Sequence, residues 1–322
     1  MTARPVPPAT ARPVAVVTGA SRGLGFLLAR ELADQGHDLV ICARSADGLD
    51  TAAAELRGRR GQVVTVAADV SVEAQAEAVV AAATEHFGRL DVLVANAGAI
   101  QVGPAAAMRA SDFADALGVM FWGVLYPTLA ALPLMRARGG GRILVITSLG
   151  GKVPAPHLLP YTVAKHAAVG FAEGLRVEAA RHGITVTTAV PGLMRTGSPR
   201  NALFTGDRAA EYRWFSVADS LPLLSMDAER AAAKLIRATL RGSPEIVLTP
   251  AAKVAVRLHG IAPATTIRLL SAANRLLPSE EARTPLAPGH TVAKPGRVYD
   301  ALTGLTRSAA RRFHQHDDAV DG

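Results

Sequence analysis

The sequence predicts an α/β fold: an open, doubly wound parallel sheet of about seven strands with helices on both faces, followed by a C-terminal helical extension. Three observations predict it. Short apolar runs alternate with longer amphipathic ones along most of the 322 residues. Apolar residues make up 49% of the chain, enough to bury a full core. The first apolar run passes directly into a glycine-rich turn and then a helical pattern.

The strand-like runs are 14–18, 38–43, 62–67, 90–95, 142–147, 184–190 and 245–248. Helical periodicity fills 24–36, 46–58, 72–87, 111–137, 160–182 and 227–241. Strands separated by helices require crossover connections, and right-handed crossovers place helices on both faces of a parallel sheet. This is a Rossmann-type layout. Residues 1–12 are Pro-rich and lack an apolar stretch, so they read as a disordered arm before one Rossmann-type domain over 13–250. Residues 251–322 form the extension, helical over Ala251–Leu277 and irregular beyond.

The run Ala116–Met135 is 20 residues without a charge, long enough to cross a membrane. Pro127, Pro133 and its place between sheet elements favour a buried helix instead. The single cysteine, Cys42, ends a strand and reads as core packing; its being alone fits a reducing, cytoplasmic setting. The net charge is +8. No nucleic-acid-binding signature accompanies it, no His/Cys/Asp/Glu spacing suggests a metal, and no G-x-S-x-G nucleophile elbow occurs.

The turn after the first strand reads TGASRGLG, from Thr18 to Gly25. Gly19, Gly23 and Gly25 let the backbone approach a pyrophosphate, and the following helix directs its positive end at that anion. Ser21, Arg22 and Leu24 fill the turn. At the end of the second strand, Ala43 occupies the place where a carboxylate would hold a ribose 2′-hydroxyl, and Arg44 follows. With Arg22 nearby, this corner suits a 2′-phosphate, so NADP(H) is expected over NAD(H).

Tyr161 and Lys165 are four apart on a helix and share a face. An ammonium near the phenol is expected to lower its pKa and ready it for proton exchange with a substrate oxygen. Ser148, at the end of a strand, is placed to hold the same oxygen.

With Ser148, Tyr161, Lys165 and the G-x-x-x-G-x-G turn in order, the chain resembles the classical short-chain dehydrogenase/reductase family over about residues 13–250. The resemblance implies hydride transfer between a nicotinamide and a carbonyl or alcohol. It implies that Asp69 and Val70 contact adenine, that Asn96, Ala97 and Gly98 steady the sheet beside the cofactor, and that Pro191, Gly192 and Thr196 embrace the nicotinamide end. Lys165 would also grip the nicotinamide ribose. A homodimer or homotetramer through the helices at 111–137 and 160–182 is implied too.

One position departs from the family pattern. Met120 stands where members usually carry an asparagine that holds a proton-relay water, and a thioether cannot replace an amide there. Two readings follow: an active enzyme with another proton route, or a non-catalytic NADP-binding homologue acting through a partner or membrane surface. His157 lies at the expected pocket lip, as substrate contact or plain loop residue. Phe204, Tyr212, Trp214 and Phe215 either line an apolar substrate pocket, the favoured reading, or cap the core. The extension holds ten Lys or Arg against three acids between residues 250 and 315, with regularly spaced apolar positions. It rests either on an anionic membrane surface or on protein.

Overall fold

A computed structural model describes residues 12–220, 225–278, 283–292 and 303–315. Most of the expected disordered arm lies outside these residues. The main sheet has seven parallel strands: β1 (Val14–Thr18), β2 (Asp38–Ala43), β3 (Val63–Ala67), β4 (Val92–Ala95), β5 (Gly141–Ile146), β6 (Ile184–Val190) and β7 (Glu245–Val247). Their order is β7-β6-β5-β4-β1-β2-β3. Each begins and ends within two residues of its predicted bounds.

The strands are apolar on both faces because helices cover both. In β1, Ala15 and Val17 join one core while Val14 and Val16 join the other. The first core packs α1 (Gly23–Asp34), α2 (Ala46–Arg57) and, from later in the chain, the helix at Ala228–Leu240. The second packs α3 (Glu73–Phe87), α4 (Ala110–Ala137) and α5 (Leu159–Ala179). Cys42 is buried in the second core, where burial pushes its thiol up to about 12. It is an inert packing residue.

Helix α4 corrects the expectation of a fully buried segment. Only about a third of its most apolar window is covered. Val124, Thr128, Ala131 and Met135 face the sheet, while Trp122 and Leu129 are exposed. A π-helical turn, Gly118–Trp122, interrupts it at Met120.

The chain order reverses between β1 and β4, which turn to opposite neighbours. The crevice beyond the carboxyl ends of these two strands is where such sheets bind ligands. The later segments are α6 (Arg208–Ser220), α7 (Ala228–Leu240) on the first core, the hairpin of α8 (Pro250–Ile261) and α9 (Pro263–Asn274), and α10 (Gly304–Arg312); α6, the hairpin and the residues after α10 reach the crevice. A small three-stranded sheet joins Gln101–Val102, Leu203–Phe204 and Ala287–Pro288.

Helix α10 was not expected, since this stretch reads as irregular. It returns to the amino-terminal end of α1. Phe313 is buried in the first core, and its carbonyl accepts from the Gly23 N–H at 2.8 Å. The Ser220 and Thr306 hydroxyls bond at 2.7 Å and tie α6 to α10. Residues 304–313 are thus packed onto the half of the sheet that carries the glycine turn.

Removing a buried phenyl ring costs about 3 kcal/mol through lost transfer energy and the cavity left behind. Phe313→Ala is therefore expected to lower the urea-unfolding free energy by that amount. A loss under about 1 kcal/mol would show that the C-terminal segment is not integral to the core.

Candidate active site

Thr18, the last residue of β1, sets the geometry of the crevice. Its hydroxyl accepts from the backbone N–H groups of Asn96 and Ala97 at 3.0 and 3.1 Å. The Asn96 amide donates back to the carbonyls of Thr18 and Gly19 at 3.0 and 3.1 Å. These bonds clamp the segment after β4 against the glycine turn after β1. Gly19 has φ +64°, and a Cβ on Gly25 would lie 2.0 Å from the Gly19 carbonyl oxygen. Only glycine fits at Gly25, and the turn is a cradle open on its outer side.

Helix α1 starts there with no capping side chain and no acid in its first turn. Its Leu24 and Gly25 line the crevice, where first-turn N–H groups suit an anion. A dinucleotide pyrophosphate fits this cradle.

The cleft holds about 1140 Å³. Of the cofactor residues expected from sequence, Gly19, Ser21, Arg22, Leu24, Gly25, Arg44, Asp69, Val70, Asn96, Ala97, Gly98, Pro191, Gly192 and Thr196 line it. Thr18 and Gly23 do not. Thr18 is fully buried beneath the turn, and Gly23 is covered by the Gln315 side chain, which would sit 2.5 Å from a Cβ there. Arg22 donates to the Asn201 carboxamide oxygen at 3.1 Å. Asn201 in turn donates to the Gln315 side-chain oxygen at 2.6 Å. Arg44 remains exposed at that corner, and its charge helps hold Asp69 below the ordinary carboxylate range. Burial opposes that shift, and two hydrogen bonds from Ser71 to Asp69 are the larger forces behind it.

Ser148, Tyr161 and Lys165 meet in the same cleft. Ser148 follows β5, where its hydroxyl accepts from the Gly150 N–H at 3.1 Å and bonds the Tyr161 phenol. Lys165, on the same face of α5, has its ammonium 5.8 Å from the Tyr161 ring centre and donates to the Ile146 carbonyl at 2.8 Å. Burial pulls its pKa down to about 8. Burial also raises Tyr161, against the hydrogen bond from Ser148. The expected lowering of the phenol is not seen: burial is the larger effect, and Tyr161 rests neutral.

Met120 is buried at the floor of the cleft against Ala116 and Ala164. A Cβ on Gly98 would stand 3.8 Å from both Met120 Cγ and Lys165 Nζ. Gly98 thus lies between the Met120 and Lys165 side chains, and Met120 offers no amide there.

Other expectations resolve differently. His157 does not line the cleft. It adopts φ +59° and bonds the fully buried Glu211 at 2.7 Å, and Glu211 also accepts from the Trp214 indole at 2.6 Å. Phe204, Tyr212 and Phe215 pack into a satellite core, and of the four aromatics Phe215 alone reaches the cleft. Sequence reasoning missed Asn201, His314 and Gln315, which line the cleft from distant parts of the chain. It also missed Asp219, a buried acid in the cleft wall that burial pushes up to about 8.

The family model for short chain dehydrogenases matches residues 13–203, more than half of the chain. The chain belongs to the short-chain dehydrogenase/reductase family. It is similar to a putative ketoacyl reductase of the granaticin polyketide synthase from Streptomyces violaceoruber, 39% identical over 61% of this chain and 72% of the relative. It is similar to the dehydrogenase/reductase SDR family member 7B of Bos taurus, 30% identical over 81% of each chain. Among solved structures, a short-chain dehydrogenase from Streptomyces avermitilis superposes with a TM-score of 0.71 at 27% identity, over 83% of this chain and 99% of that one. An actinorhodin polyketide ketoreductase solved with NADPH superposes with a TM-score of 0.66 at 32% identity, over 76% and 99%. The chain is an NAD(P)-dependent oxidoreductase of carbonyls and alcohols.

Because Lys165 has a pKa near 8 when folded and 10.5 otherwise, the unfolded chain binds its proton more tightly, and stability rises with pH between those values. Below that window the buried charge is a standing cost. Without cofactor, Lys165→Met is expected to be more stable than wild type at neutral pH by about 2 kcal/mol. The gain should fade as pH rises through the window. Thermal melts at neutral and alkaline pH check this, and a variant of equal or lower stability at neutral pH contradicts it.

Proposed function

We propose that this oxidoreductase uses NADP(H) in preference to NAD(H) and interconverts a hydrophobic ketone or aldehyde with its alcohol. The observation that carries the proposal is the convergence of Ser148, Tyr161 and Lys165 in one cleft with the glycine cradle. When bound, the nicotinamide supplies or accepts the hydride. The chain does the rest. Ser148 and Tyr161 hold the substrate oxygen between their hydroxyls. Tyr161, neutral at rest, gives its proton to that oxygen in reduction and takes it back in oxidation. Lys165 offsets the negative charge that develops on the phenol and holds the ribose.

The cofactor preference rests on Arg44 and on Ala43, which puts no carboxylate at the end of β2. Asp47, an exposed acid in the first turn of α2, also lies on the rim, which makes Arg44 decisive at that corner. The ketoacyl reductases among the relatives and the NADPH-bearing neighbour support the same reading. Apolar lining from Ile100, Val153, Leu158, Leu193 and Phe215 supports a hydrophobic substrate. A homodimer or homotetramer through α4 and α5 belongs to the proposal, supported by exposed Trp122, Leu129, Leu159 and Val163 on those helices. Met120 keeps one second reading open, a cofactor-binding homologue without turnover.

Two outcomes are expected. Tyr161→Phe should bind NADPH within about threefold of wild type yet lose at least about 100-fold in carbonyl reduction, the ordinary worth of a positioned proton donor. Wild-type protein that binds NADPH tightly but turns over no member of an aliphatic and aromatic carbonyl panel would establish the second reading. Arg44→Ala should weaken NADPH about tenfold while leaving NADH within about twofold, read by fluorescence titration. Equal losses for both cofactors would remove Arg44 from the 2′-phosphate.

A further inference from the structure

Helices α8 and α9 form a hairpin whose chemistry differs from the rest of the surface. From Pro250 to Pro278 the chain has no Asp or Glu but carries Lys253, Arg257, Arg268 and Arg275. All four cations are exposed. Of the residues in both helices only Ala252 is buried, and the two helices pack chiefly on each other. Val254, Leu258 and Ile261 form an exposed stripe at i, i+4 and i+7, with Ile261 84% accessible. Ile267, Leu269 and Leu276 extend the apolar surface, with Leu276 89% accessible. Patches of this kind on soluble proteins mark contact surfaces.

The hairpin also stands at the mouth of the cleft. Ala255 and Leu270 belong to the cleft wall, and a Cβ on Gly192 would lie 3.6 Å from the Ala252 methyl. Whatever covers the hairpin therefore meets the entrance.

We propose that the hairpin docks on an anionic lipid bilayer, with its apolar stripe in the interface and its cations on the headgroups, so that a bilayer-dissolved carbonyl substrate enters the cleft directly from the membrane. Charge decides between the occupants. A second copy joined through this face would bring eight cations together with no acid between them, which repels. An anionic lipid surface supplies the missing negative charge, and long basic side chains beside an apolar stripe suit the headgroup boundary. The route of the substrate rests on the proposed hydrophobic-carbonyl reading; the docking itself does not.

The test is sedimentation of the full-length protein with phosphatidylcholine vesicles, with and without phosphatidylserine, at low and high salt. Wild type is expected to bind the phosphatidylserine vesicles at low salt and to release at high salt. Lys253→Glu/Arg257→Glu should weaken binding at least about tenfold, and Leu258→Ser/Ile261→Ser should do the same without shifting the melting temperature. NADPH-dependent reduction of a short, water-soluble aldehyde should be unchanged in both variants, while reduction of hexadecanal held in vesicles should fall with binding. No sedimentation of wild type with phosphatidylserine vesicles overturns the docking. So do variants that bind as wild type does, or variants whose native mass halves by light scattering, which would identify a second copy as the occupant. Binding as expected, with no turnover of either aldehyde, would leave the docking standing and overturn the substrate reading alone.

Discussion

The clamp between Thr18 and Asn96 is the constraint on which the rest of the structure depends. Two parallel strands turn away from each other at this point, and a hydroxyl, two backbone N–H groups and one carboxamide hold their ends together. The clamp fixes Gly19, Gly19 faces Gly25 too closely for any side chain, and the cradle follows. Every one of these groups is satisfied within the protein, so the turn is formed before a ligand arrives. Preorganised binding of this kind avoids an ordering cost.

A second constraint is the burial of the proton-transfer groups. Among the described residues Lys165 bonds the Ile146 carbonyl and no acid, and burial lowers its pKa while raising that of Tyr161. The fold accepts an unfavourable buried cation in return for a lysine poised near neutrality beside a protonated phenol. Met120 is compatible with this arrangement, because the lysine is held by the main chain of β5 and not by a side chain on α4.

The seven strands were legible because the five inner ones are short, doubly buried apolar runs bounded by turn residues, and the two partly covered edge strands keep the same spacing. The glycine turn and the Tyr161–Lys165 pair were legible because their function imposes fixed local spacing. The parts that escaped are those decided across long distances. Helix α10 carries mostly basic and small residues, and what holds it is Phe313 reaching a core assembled from β1, α1, α2 and distant elements such as α7. The bond from Arg22 to Asn201, 179 positions away, is equally invisible in the local sequence. The aromatics at 204–215 read as pocket walls, yet three of them close on one another once the small sheet brings Leu203–Phe204 beside Gln101–Val102. Helix α4 read as buried because apolarity does not distinguish a core face from one awaiting a partner.

The most direct test of the central claim follows the hydride itself. The protein would be incubated with NADPH deuterated at nicotinamide C4 and a panel of hydrophobic ketones and aldehydes, and the products examined by mass spectrometry. A single deuterium on the former carbonyl carbon, transferred from one face of the nicotinamide only and lost in Tyr161→Phe, is the predicted result. Tight NADPH binding with no label in any product would contradict it and would make this cleft a binding site without chemistry.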